Sequence, residues 1–185
     1  LSDVVAVGEA TIVYDREGNE IDQYVSTNSN RLSVGMDEIP DYLGKAFVAI
    51  EDQRFYQHNG IDVKGILRAG YQFLKTGGEE AQGASTITQQ LLKNTVFTDW
   101  TSEGDNKIKK IKRKIQEQYL ALEITKYYSK DEILLRYMNA INLGQNTLGV
   151  ESASLRYFGK HCSDLTISEC AVIASITQNP SKYNP

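Results

Sequence analysis

The acidic pair Glu51-Asp52 is the first place where this sequence offers chemistry. It follows the apolar run Ala46-Phe47-Val48-Ala49-Ile50, and Arg54 and His58 lie within two turns. An apolar neighbour and an adjacent like charge both raise a carboxyl pKa, which suits a general base. The same pattern fits an acidic pair at an exposed helix end, with His58 as an ordinary hydrogen-bonded histidine. A second candidate is cationic. Between Lys107 and Lys114 six of eight residues are basic, while the whole chain is net −4. Such a positive island on an acidic body suits phosphate or another anion. At about 100° per residue, Lys110, Arg113, Lys114 and Glu117 share one helix face, and Ile108, Ile111, Ile115, Tyr119 and Leu122 form a narrow stripe on the opposite one. The polar face is either a solvated set of ion pairs or a cationic anion site whose geometry Glu117 holds. The third candidate is the stretch from Gln82 to Gln90, rich in hydroxyls and carboxamides and ending near Lys93-Asn94. Such groups hydrogen-bond sugar hydroxyls and phosphate oxygens, and a helix opening at Ser85 adds backbone N–H groups. A polar loop before a capped helix has the same composition.

Helices must position all three groups. Pro40 is placed as a first helical residue ahead of Phe47, Val48 and Ile50. Val63, Ile66, Leu67, Gly70 and Leu74 predict a helix from Val63 to Lys75, ended by Thr76-Gly77-Gly78. Ser85 is the expected cap of a helix carrying Ile87, Leu91 and Leu92, and a long helix is expected from about Lys107 to Tyr128. Ser129-Lys130-Asp131-Glu132 and Thr166-Ile167-Ser168-Glu169 are capping boxes for two more. The segments 76–84 and 98–106 read as polar loops, expected to be disordered without ligand. Residues 1–35 differ: β-prone Thr11–Tyr14 and Ile21–Val25 flank a turn at Asp15–Asn19 and predict a hairpin or extended arm. The fold class is therefore mainly α, with a short β-prone N-terminal arm.

Composition narrows the classes further. A chain of 185 residues with 41% hydrophobic and 24% charged residues is one globular domain, not a disordered chain. It has no apolar run of about 18 residues, so nothing in it spans a bilayer as a helix. It starts at Leu1, without a methionine, and reads as a piece of something longer. Cys162 and Cys170 either pair or stay free, and with His58 and His161 they lack zinc-ligand spacing. The basic block has few interleaved aromatics and sits on an acidic body, a poor footprint for nucleic acid.

In combination these residues resemble the peptidoglycan glycosyltransferase domain (family 51 of the glycosyltransferases) of bifunctional, class A penicillin-binding proteins. The resemblance is carried by Glu51-Asp52-Gln53-Arg54-Phe55-Tyr56-Gln57-His58-Asn59-Gly60 and by Gly83-Ala84-Ser85-Thr86-Ile87-Thr88-Gln89-Gln90 with Lys93-Asn94. It continues in Arg113-Lys114-Ile115-Gln116-Glu117, in Lys130 to Asn139, and in Tyr157-Phe158-Gly159-Lys160 and Asn179-Pro180. Four motifs in order over roughly residues 38–185 are highly specific. Ala84 departs from the pattern, standing where the family usually has a second glycine, and its methyl group stiffens that loop.

The resemblance implies a lysozyme-like helical fold with a smaller membrane-facing subdomain. It implies a division into residues 1–35, an arm leading from a membrane anchor, and residues 36–185, the glycosyltransferase domain. The implied activity is polymerisation of lipid II into β-1,4 glycan strands, with inversion, at the extracytoplasmic face of the bacterial cell membrane. Glu51 matches the general base and Glu117 the second essential glutamate. Lys93, Arg113 and Lys114 match cations for the pyrophosphate leaving group. Ser85, Thr86, Gln90, His58, Asp52 and Asn139 match positions that bind substrate or support the cleft, and Arg68 a further phosphate contact. No cofactor is obligatory, although Glu117 is a candidate ligand for Mg²⁺ or Mn²⁺. The implied partners are lipid II, the growing glycan, the membrane surface, a transpeptidase domain in the full-length protein and moenomycin-type inhibitors, with no nucleic acid. A lysozyme-like muramidase is the rival reading. It needs a catalytic acid and, in most families, a second carboxylate, but no Lys/Arg cluster.

Overall fold

A computed structural model describes residues 11–24, 31–77, 83–97 and 107–183. Seven helices dominate them: α1 (Asp41–Glu51), α2 (Val63–Lys75), α3 (Ile87–Thr95), α4 (Lys107–Ile124), α5 (Lys130–Ala140), α6 (Val150–Phe158) and α7 (Ile167–Ile176). The mainly helical expectation is borne out, and so is the hairpin. Strand β1 (Thr11–Tyr14) pairs antiparallel with β2 (Glu20–Tyr24). Asp15 closes the turn, its carboxylate accepting from the backbone N–H groups of Glu17 and Asn19, both at 2.8 Å. Val25 and the loop stretches 78–82 and 98–106 lie outside the described residues.

Reciprocal caps start three helices: Thr86 with Gln89, Ser129 with Glu132, and Thr166 with Glu169. Two expected starts move by one residue. Pro40 has an extended ψ of 135° and caps α1 from outside, its carbonyl accepting from Leu43 at 2.8 Å. Thr86 rather than Ser85 caps α3, because its hydroxyl also donates to the Gly60 carbonyl at 2.6 Å. The long helix α4 ends at Ile124 instead of Tyr128: Lys126 and Tyr127 turn back on carbonyls three residues earlier, before Ser129 opens α5.

The main core gathers α1, α3, α5, α6 and α7 around fully buried Leu43, Phe47, Phe55, Ile133, Tyr137 and Ile173. Each such side chain contributes about 1.5–3 kcal/mol of burial. Phe47 and Tyr137 meet edge to face at 5.7 Å. A smaller cluster, Leu92, Ala121 and Ile124, ties α3 to the last turns of α4. Gly60 enables that junction. It has φ +89°, and a Cβ there would lie 2.1 Å from the Ala121 carbonyl oxygen.

Residues 31–35, grouped with the arm in the sequence reading, are seated in the body. Arg31 is buried, Leu32 N–H donates to Ser152 at 3.0 Å, and the Asn139 side chain pairs with both backbone groups of Val34. Cys162 and Cys170 are both buried free thiols, and burial pushes Cys170 up to about 11. Among the described residues no helix is long and apolar enough to cross a membrane.

Candidate active site

Glu51 closes α1, and two distant segments converge on its carboxylate. Gln90, one turn into α3, donates its amide to Oε2 at 2.7 Å. Thr177 and Gln178, just past α7, both donate to Oε1, the Gln178 amide at 2.9 Å. The hydroxyl of buried Tyr137 donates to the Gln90 amide oxygen at 3.4 Å. The sequence predicts an apolar setting for this carboxyl, with Asp52 pressing on it. The structure corrects both points. Glu51 lies among neutral donors, and Asp52 turns away from it.

Asp52 is buried and accepts His58 Nε2 at 3.0 Å and the Ile87 N–H at 3.1 Å. It borders the cleft, but its carboxylate and His58 pin the start of α3 to the end of α1. That fixes where Gln90 meets Glu51. His58 and Asp52 therefore support the cleft through these bonds. Thr86, 1% exposed, is likewise spent on its cap and on Gly60. Asn139 is bound to Val34, away from Glu51, and supports the fold.

The cationic half assembles around Glu117, which is only 1% exposed. Its Oε1 accepts from Lys114 at 2.5 Å and from the Gln89 amide at 3.2 Å, and its Oε2 accepts from Arg113 at 3.0 Å. Lys114 also donates to Ser85 Oγ at 2.9 Å. Lys93 reaches the same place from α3. Burial pulls its pKa down, Arg113 and Lys114 push the same way, and Glu117 opposes them. Glu117 does not fit the metal-ligand expectation, because two cations and an amide already take three of its about four acceptor positions and the adjacent Lys114 and Arg113 charges repel a metal ion. Among the described residues no cluster of three His, Cys, Asp or Glu could hold a metal ion.

Two cavities meet at these groups. One, of about 390 Å³, is bordered by Glu51, Arg54, Arg68, Ser85 and Gln178. The other, of about 530 Å³, is bordered by Ser85, Gln90, Lys93, Glu117 and Thr177. Ser85 and Gln90 border both and stand at the partition, while Glu51 borders the first cavity and its donor Thr177 the second. Arg54 is tied to Asp62 at 2.5 Å, which holds the Asp62 carboxyl below its usual range. Arg68 stands exposed at the rim of the first cavity. Of the sequence candidates, Glu51, Asp52, Arg68, Ser85, Thr86, Gln90, Lys93 and Glu117 border the two cavities, and Arg113 and Lys114 join them through Glu117 and Ser85. Thr177, Gln178 and Tyr137 were missed. Tyr137 lies inside the Lys130 to Asn139 motif but reads there as a core residue, and nothing local marks the other two, since Gln178 lies 127 positions from Glu51 in sequence.

The family described as Transglycosylase matches residues 17–185. Penicillin-binding protein 1A of Clostridium perfringens (strain 13) is 45% identical over 184 residues, 98% of this chain and 26% of the relative. Penicillin-binding protein 1A of Clostridium botulinum (strain Hall) is 45% identical over 185 residues, with 98% and 21% coverage. Penicillin-binding protein 1F of Bacillus subtilis is 40% identical over 173 residues, with 94% and 23% coverage. The chain thus spans about a quarter or less of the length of these relatives. With its four motifs folded into one helical cleft, the chain belongs to the transglycosylase family.

Proposed function

We propose that this chain is the peptidoglycan glycosyltransferase unit of a longer penicillin-binding protein, polymerising lipid II into β-1,4 glycan strands. The observation that carries the reading is the Glu51 carboxylate on one cavity, joined through Gln90 to a second that Lys93 borders, with Arg113 and Lys114 paired to Glu117 in its wall. A sugar 4-hydroxyl is a poor nucleophile and needs a positioned base. Glu51 takes its proton, and the oxygen attacks the donor's anomeric carbon. The bond to the lipid pyrophosphate breaks, its electron pair leaving with the phosphate oxygen, and the α-linkage becomes β. The acceptor enters from the Arg68 side and the donor from the Lys93 side, because the leaving group gathers negative charge. Lys93, Arg113 and Lys114 stabilise that charge, while Glu117 orients the last two. The inward pairing of Arg113 and Lys114 supports a compact phosphate site over a nucleic-acid footprint.

The unit works at the extracytoplasmic membrane surface, joined to a transpeptidase domain in the full-length protein. Supporting the membrane contact, α2 exposes Val63, Leu67, Tyr71 and Leu74, and α4 exposes Ile108, Ile111, Ile115 and Tyr119. The test is polymerisation of labelled lipid II in detergent, with products resolved by size. The expected result is a ladder of glycan chains, abolished by Glu51→Gln and reduced about 10²–10³-fold by Lys93→Ala, as for loss of one transition-state donor. Absence of a ladder together with no moenomycin binding would overturn the reading.

A further inference from the structure

Residues 177 and 178 belong to no motif in the sequence, yet they hold the carboxylate on which the reaction depends. An ionised carboxylate has about four acceptor positions, two on each oxygen. Oε1 of Glu51 receives both Thr177 Oγ1 and Gln178 Nε2 and is filled. Oε2 receives the Gln90 amide, which occupies one of its two positions. We infer that Thr177 and Gln178 are positioning residues that bind the Oε1 edge of Glu51 and leave Oε2 as the atom that accepts the substrate proton. The inference rests on reading Glu51 as the general base.

Thr177 adds a second feature. Its hydroxyl also lies 2.8 Å from the Ala174 carbonyl oxygen, one turn back in α7. A hydroxyl carries one hydrogen, so it donates to one of these acceptors at a time. While Glu51 is ionised, the charged acceptor holds that hydrogen, because charge-assisted hydrogen bonds are the stronger ones. Once Oε2 has taken the proton, the hydroxyl turns to Ala174 and stays satisfied. Gln178 has no such alternative among the hydrogen bonds of the described residues and keeps the edge in register. Thr177 borders the cavity on the Lys93 side and Gln178 the one on the Arg68 side. The strap therefore sets the base from both sides of the partition.

The test uses the full-length protein in detergent and follows lipid II polymerisation against pH. Thr177→Val keeps the shape and removes the donor, Thr177→Ser restores it, and Gln178→Met removes the amide. Thr177→Val and Gln178→Met are each expected to lower kcat roughly tenfold, the value of a lost hydrogen bond to a charged group. KM and moenomycin affinity should stay near wild type, and the acidic limb of the kcat profile should move to higher pH. Thr177→Ser should restore both. Gln178→Glu, which sets a second carboxylate against Oε1, should move the limb furthest. Wild-type kcat and an unmoved limb in Thr177→Val and Gln178→Met would overturn the inference. So would a fall in thermal stability with no change in the pH profile. If Thr177→Val fails to fold, the exposed Gln178 carries the test alone. Activity surviving in Glu51→Gln would instead remove the base reading itself, a separate result.

Discussion

Helices α4 and α5 are both amphipathic, yet they face opposite ways. α5 turns Ile133, Leu134, Tyr137 and Met138 into the main core and its polar side outward. α4 does the reverse along most of its length. Its buried centre is Glu117 with Arg113 and Lys114 around it, while Ile108 stands 79% exposed and Ile111, Ile115 and Tyr119 line the same outer face. Only its last turns join an apolar cluster, through buried Ala121 and Ile124 with Leu120 packed against them. A stripe in a sequence fixes which residues share a face. It does not say which face is inside. For α5 burial of apolar area decides. For α4 the inward charges are satisfied by one another and by Gln89 and Ser85 of the α3 segment, which offsets their desolvation, and the apolar stripe stays exposed.

Alanine in the α5 stripe should produce the largest effect. Ile133→Ala is expected to lower unfolding free energy by about 2–5 kcal/mol, measured by chemical denaturation, since the residue is fully buried. A loss as small as that of an exposed site would break the comparison. Next comes Glu117→Gln, which strips the counter-charge from Lys114 and Arg113. Its expected cost is about 2–3 kcal/mol, below the roughly 3–5 of a fully buried pair, because the Lys114 side chain keeps 39% exposure. Glycan synthesis should fall with it, and a fully active, fully stable variant would mean that the ionic face is ornamental.

The α4 stripe should behave in the opposite manner to α5. The double change Ile111→Ser with Ile115→Ser is expected to alter stability by no more than about 0.5 kcal/mol per site. Binding to lipid vesicles should weaken by roughly tenfold or more, since burying each isoleucine is worth about 1.5–3 kcal/mol. Co-sedimentation of the full-length protein's soluble portion would read this out, and unchanged binding would separate the stripe from the membrane. The smallest effect concerns a third ion pair, on α6. Burial pushes the Glu151 carboxyl up, but hydrogen bonds from the Cys162 N–H and from His161 outweigh it and leave it below its ordinary value. Glu151 in turn holds exposed His161 at 2.6 Å and raises its pKa above 6.5. A raised folded-state value means stability that is present below pH 6.5 and lost as pH rises through the folded pKa. Thermal melts should decline slightly over that window, and His161→Gln should flatten the decline.

Legibility in the sequence follows the range of the interaction. The caps at Ser129 and Thr166, the Asp15 turn, the span of α2 and the sharing of faces along α4 are all contacts within four residues, and each was readable. So were the chemical types of the cleft: a carboxylate after an apolar run, a block of cations with one glutamate, a run of hydroxyls and amides. The roles inside that set were less readable. Asp52, His58, Thr86 and Asn139 look like ligand groups by type, and each is occupied by a backbone or side-chain partner that holds elements together. Adjacency misled at Glu51 and Asp52, because the last residue of a helix and the next one point in different directions.

The sequence by itself determined six of the seven described helices, the caps at Ser129 and Thr166, the membership of the family and the chemistry that the cleft can hold, because these rest on local geometry and residue type; it did not show α6. Only the tertiary structure decided the neighbours of Glu51, since Gln90, Thr177 and Gln178 reach it from two distant segments. It alone decided that α4 buries charge and exposes hydrocarbon. The physical reason is the same in both cases: hydrogen bonds and burial depend on distance in space, and a strand of letters records distance only along the chain.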